Sequence, residues 1–174
     1  MSGRYVPRTS PRSGRSWTAS PRSDRAAAKY GRWRELDGLV VQPRASTGVE
    51  LIVGVVNDHN FGPVLAVGAG GTAAGLIRDV AARITPLTDL DAHDMLRSLR
   101  TFPLLDGYRG APRCDLAAIE DTLLRVSAMV EGHPEIVELD CNPLIAGPDG
   151  AVIVDARLRI ETAPPTRPTS SLRG

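Results

Sequence analysis

Asp140, Asn142 and Asp155 carry the chemistry most easily read in this chain. The first two lie in Glu138-Leu-Asp-Cys-Asn-Pro143, and Asp155 follows in Val154-Asp-Ala-Arg157. Between them stands Ala146-Gly-Pro-Asp-Gly150, a turn-rich spacer flanked by apolar runs, which predicts a β-hairpin. A hairpin folds its strands together, and side chains at i and i+2 of a strand share a face, so the three residues could meet. Two carboxylates and an amide oxygen are hard oxygen ligands. They suit Mg²⁺, which takes one or two carboxylates and leaves its other positions to water and phosphate.

The elements that must position these residues are legible in the pattern. Val49–Val56 is apolar almost throughout and predicts a buried strand. Asn57–Gly62 is a polar turn, and Val64–Val67 predicts a second strand antiparallel to the first. Thr88 or Asp89 can cap a helix running to about Arg100, and Asp115 caps a stronger one. In the latter, Leu116, Ile119, Leu123, Val126 and Val130 form one apolar stripe, which His133-Pro134 ends. Ile136–Asp140 and Ala151–Asp155 complete the sheet. The expected fold is α+β, an antiparallel sheet of four or five strands with helices packed on one face.

At 174 residues the chain is about one domain long. Its net charge of +1 hides an asymmetry. Residues 1–35 hold nine Lys or Arg against Asp24 and Glu35, a net charge near +7, which leaves the remainder near −6. Low hydrophobicity and high charge predict disorder for 1–35, with a short helix near Asp24–Arg34, and a flexible tail over 162–174. The two cysteines, Cys114 and Cys141, indicate neither a disulfide framework nor a zinc ribbon. With no membrane-length apolar run and no secretory signal, the expectation is a cytoplasmic protein. The basic tail raises nucleic-acid binding as a minor alternative, which the lack of interleaved aromatics disfavours.

Asp-x-Asn-Pro-Leu followed by Val-Asp-Ala-Arg resembles the end of the ATP-grasp domain in NDP-forming acyl-CoA synthetases. Further pieces follow in family order: Gly38-Leu-Val-Val-Gln-Pro43, Gly48-Val-Glu-Leu-Ile-Val-Gly54, Phe61-Gly-Pro-Val64, Gly68-Ala-Gly-Gly71, Arg83-Ile-Thr-Pro-Leu87 and Leu104-Leu-Asp-Gly-Tyr-Arg-Gly110. The resemblance covers 36–161 and implies the second ATP-grasp lobe. It further implies that Asn142 and Asp155 ligate Mg²⁺, with Asp140 assisting. Val41 and Gln42 would offer backbone groups to the adenine of ATP or ADP, Glu50 would stand near the nucleotide, and Gly70 and Gly71 would approach its phosphates. Gly75 stands where the family carries an acidic residue, a departure that bears on catalysis. Nothing before Gly38 resembles the first lobe, and the CoA-binding and phosphohistidine domains have no counterpart. The implied role is therefore part of an ADP-forming acid–CoA ligase that works with a protein partner supplying those domains. The alternative is a non-catalytic nucleotide-binding or interaction module.

Overall fold

The computed structural model describes residues 17–19, 41–43, 45–71 and 78–162, the first two stretches as backbone only. The chain divides into two compact units, Met1–Ala45 and Ser46–Gly174. In the first, β1 (Trp17–Ala19) pairs antiparallel with β2 (Val41–Pro43), Thr18 opposite Gln42. Of residues 1–35, only β1 is described. Trp17 and Thr18 are strong strand formers and find a partner in the apolar Val41 stretch. The helix expected at Asp24–Arg34 lies outside the described residues, as do Gly75 and the tail from 163 onward.

The second unit is one antiparallel sheet with helices on one face. Its path runs β5 (Val80–Ile84), β4 (Gly62–Ala69), β3 (Val49–Asp58), β6 (Ile136–Gly147) and β7 (Gly150–Ile153), with β8 (Ala156–Ile160) also on β6. Leu51, Val53 and Val55 of β3 are buried, alternating with Glu50, Ile52, Gly54 and Val56 on the other face. The strand expected to be buried on both faces is buried on one, because all the helical cover lies on the Leu51 side. Val56 is accordingly 58% exposed. The sheet also gains two strands beyond the expected set. Val80–Ile84 and Ala156–Ile160 both run along its edges, where arginines and exposed side chains mask the period.

The cover consists of α1 (Asp89–Ser98), the single turn α2 (Phe102–Leu105), a 3₁₀ turn at Tyr108–Gly110, and α3 (Leu116–Gly132). Thr88 caps α1 in a reciprocal box: its hydroxyl accepts the Asp91 N–H at 3.1 Å, and Asp91 accepts the Thr88 N–H at 2.9 Å. Asp115 caps α3 by accepting the Ala118 N–H at 3.0 Å. The expected stripe of α3 faces the sheet, with Ile119, Leu123, Val126 and Val130 buried. Full burial of each such side chain contributes about 1.5–3 kcal/mol. The N–H of Asp115 also donates to Gly147 O at 2.8 Å, tying the start of α3 to the end of β6.

Candidate functional site

The predicted hairpin is present. Gly147 pairs with Gly150 across Pro148-Asp149, and β7 and then β8 run back along β6. The return strand is interrupted at Val154-Asp155, opposite a bulge in β6. There, two steps along β3 (Leu51 to Val53) face three along β6 (Cys141 to Leu144), so one residue is extra. The bulge flips the inside–outside alternation: Leu139 and Cys141 are buried before it, Leu144 and Ala146 after it. Asn142 and Pro143, joined by a cis peptide bond, occupy the bulge.

At this point the two strands hold each other by backbone bonds. The Asn142 N–H donates to Asp155 O at 3.0 Å, and the Val154 N–H donates to Pro143 O at 2.9 Å. Asn142 and Asp155 are thereby neighbours, and both are exposed. Asp140 lies on the same strand, opposite Arg157 rather than Asp155. Arg157 is also an ion-pair partner of Asp155, Nε to Oδ2 at 3.8 Å. Among the described residues no group of three or more His, Cys, Asp or Glu gathers to hold a metal alone. The donor set is one carboxylate beside one amide, with Asp140 a strand position away.

Cys141 points into the core, as its place between two outward residues requires, and is 2% exposed. Burial, with the nearby Asp140 charge, raises its thiol pKa above the ordinary value, which suits packing rather than reactivity. His93 and His133 sit beside surface glutamates, Glu120 at 3.4 Å and Glu135 at 3.1 Å.

Glu50 and the glycine turn meet at the other end of β3. The Gly70 N–H donates to Glu50 O at 2.8 Å. A Cβ on Gly70 would lie 2.8 Å from the Glu50 carbonyl carbon, so only glycine fits this approach. Gly71 has φ +79°, and Glu50 Oε2 lies 3.2 Å from where its Cβ would be. Glu50 is exposed, which relieves the cost of burying a carboxylate that its strand context implied. Glu50 and Gly70 border a cavity of about 340 Å³ whose remaining lining, including Leu104, Leu105 and Tyr108, is mostly apolar. Sequence reasoning did not find this cavity, because α2 and the 3₁₀ turn that wall it are too short to leave a periodic signal. Val41 and Gln42 sit in β2, in the other compact unit.

Comparison with known proteins identifies the family. A family model described as ATP-grasp domain matches residues 23–160, reaching further toward the N-terminus than the motifs quoted above. The acetate–CoA ligase (ADP-forming) I of Archaeoglobus fulgidus is 41% identical over 123 residues, covering 71% of this chain and 18% of that protein. The β subunit of acetate–CoA ligase (ADP-forming) I of Pyrococcus furiosus is 36% identical over 132 residues, covering 76% of this chain and 57% of the subunit. Among solved structures, the dinucleotide-forming acetyl-coenzyme A synthetase 1 of Ca. Korarchaeum cryptofilum superposes with a TM-score of 0.67 at 42% identity, over 70% of this chain and 57% of that one. That structure holds coenzyme A and Mg-AMPPCP. This chain therefore spans little more than half, or much less, of the relatives it matches. Among the described residues no helix is long and apolar enough to cross a membrane. The ordered motifs, the antiparallel sheet with one helical face and these matches lead to one conclusion: the chain belongs to the ATP-grasp family and carries an ATP-grasp domain of the ADP-forming acyl-CoA synthetase type.

Proposed function

We propose that this chain forms one wall of a nucleotide site in an ADP-forming acid–CoA ligase, with Asn142 and Asp155 holding the Mg²⁺ that accompanies ATP or ADP. The observation that carries the reading is the backbone-paired bulge that sets Asn142 beside Asp155 on an exposed strand. One carboxylate and one amide oxygen are a sparse set, and sparse sets fit Mg²⁺, which keeps waters and phosphate oxygens as its other ligands. Bound there, the ion would offset charge on the phosphates. Asp140 would orient a coordinated water, and Arg157 would be drawn off Asp155 when the ion arrives.

Glu50, Gly70 and Gly71 would shape the pocket near the phosphates, and Val41 and Gln42 would offer N–H and C=O groups to the adenine. The parent reaction is acyl-CoA + ADP + phosphate ⇌ carboxylate + ATP + CoA. We further propose that a protein partner supplies a first lobe and a CoA-binding domain, a reading supported by the relatives named as β subunits. A cytoplasmic setting fits this substrate set. Gly75, in place of an acidic residue, favours one second reading: a nucleotide-binding module without turnover. Calorimetry of Mg-ADP and Mg-ATP binding to the chain, beside Asn142→Ala and Asp155→Ala, tests the metal-ligand assignment that both readings share. Binding lost in both folded variants supports the site. Equal binding in all three proteins rejects these ligands.

A further inference from the structure

The two edges of the sheet are finished differently. Among the described strands β8 pairs with β6 alone. The Asn142 N–H donates to Asp155 O at 3.0 Å, and the Glu161 N–H donates to Glu135 O at 2.9 Å. Backbone groups alternate in direction along a strand. Arg157 and Arg159 therefore face β6, and the N–H and C=O of Leu158 and Ile160 point away from it. Among the described residues nothing bonds these outward groups. At the opposite edge, the Thr85 N–H donates to Pro63 O, which by the same alternation turns Ala82 outward. There the edge is capped: Arg83 Nη1 donates to Ala82 O at 2.8 Å. The β8 edge has no such cap, and its Leu158 and Ile160 side chains are 49% and 65% exposed. An uncapped apolar edge is a template for another strand.

We propose that the β8 edge pairs antiparallel with β8 of a second copy of this chain, across a two-fold axis at Arg159. Charge selects both the partner and the register. The strand and its flanks carry Asp155, Arg157, Arg159 and Glu161. An axis at Leu158 would set Arg157 against Arg159 and Asp155 against Glu161, like against like. An axis at Arg157 would run the pairing into the break at Val154-Asp155. With the axis at Arg159, Leu158 lies opposite Ile160 of the second copy, and the two exchange their outward N–H and C=O groups. Arg157 lies opposite Glu161 of the second copy, and the two-fold repeats both pairs. The two Arg159 side chains meet at the axis, but each is already held by its own Glu138 at 3.1 Å and by its own Glu161. Asn142 and Asp155 stay outside the paired stretch, so this interface is independent of the nucleotide reading.

Sedimentation equilibrium of the full chain should show a reversible monomer–dimer equilibrium at concentrations up to about 0.5 mM. Glu161→Arg and, separately, Arg157→Glu should each weaken the dimer about ten-fold or more, because each sets like charges opposite one another twice. An equimolar mixture of the two variants should recover the dimer, since every cross-strand pair is then again of opposite sign. A chain that stays monomeric over this range overturns the proposal. So does a dimer that both variants leave unchanged, which would belong to another surface, or a mixture no tighter than either variant alone. Should a variant fail to fold, amide exchange in the unmutated chain gives the answer. The Leu158 and Ile160 amides should exchange more slowly as concentration rises, while those of Arg157 and Arg159, already bonded to β6, should change little. Leu158 and Ile160 exchange that is independent of concentration overturns the proposal.

Discussion

Single residues in this domain do two kinds of work. Asn142 and Asp155 are exposed and are proposed to hold a metal, whereas Asp79 is 6% exposed and ties segments of the chain together. Its carboxylate accepts the Arg100 N–H at 2.9 Å, the Thr101 N–H at 2.7 Å and the Thr101 hydroxyl at 2.5 Å, and it faces the Arg100 guanidinium at 3.8 Å. Burial pushes its pKa up, but the Thr101 hydroxyl, the two backbone N–H groups and Arg100 outweigh burial and hold it below the ordinary 3.8. A carboxyl with a depressed folded pKa contributes stability above its unfolded pKa and loses it as pH falls through the folded value. Stability should therefore decline below about pH 4. Asp79→Ala, which strands three donors, should cost about 2–3 kcal/mol at pH 7 and flatten that acid limb. Urea unfolding from pH 7 downward checks both statements. Neither the site pair nor Asp79 differs in kind by sequence alone. The Asp-x-Asn-Pro spacing made the first visible, while the partners of Asp79, some 21 and 22 residues away, left no local sign.

Elements were legible where one period ran unbroken. The α3 stripe and the Pro148-Asp149 hairpin both lie where the pattern placed them, because a helix with one buried face and a strand with one buried face impose fixed spacings. Leu123, fully buried in that stripe, should cost about 2–5 kcal/mol on substitution by Ala, read as a fall in unfolding free energy. The bulge was not legible, since a shift of alternation over Asn142-Pro143 looks like the end of one strand rather than a kink inside a longer one. Yet the bulge is where Asn142 bonds through its backbone to Asp155, in the gap between β7 and β8. The glycine turn works by contact rather than pattern. Gly70→Ala should push β3 and β4 apart at Glu50 and cost about 1–3 kcal/mol, with slower nucleotide release or tighter binding excluded and weaker binding expected. Thermal midpoints and Mg-ADP titration on that variant test the two parts separately.

At the scale of the second unit, the described helices all pack on one face of the sheet. Val56, Val80 and Ile84 on the other face are 58%, 63% and 52% exposed, on the same side as Glu50. Exposed apolar side chains on β3 and β5, with Val56 and Ile84 in register through Val64, make an apolar patch suited to contact. The unmutated chain should bind a hydrophobic reporter dye, and Val80→Lys and Ile84→Lys should each lower that signal without changing the circular dichroism spectrum. An unchanged signal would move the apolar surface elsewhere. The family and the one-faced sheet were readable from ordered motifs, whereas most of residues 1–35 lies outside the described residues, with β1 at Trp17–Ala19 the described part.

The proposed role of Asn142 and Asp155 depends on where the metal of a metal–nucleotide complex sits. Mn²⁺ in place of Mg²⁺ broadens nuclear resonances close to it, so its position can be read residue by residue in the full chain with ADP present. The prediction is selective broadening of the backbone amides around Cys141-Asn142 and Asp155-Ala156, lost in Asp155→Ala. Broadening centred elsewhere, or surviving unchanged in Asp155→Ala, would contradict the assignment of Asn142 and Asp155 as the metal ligands.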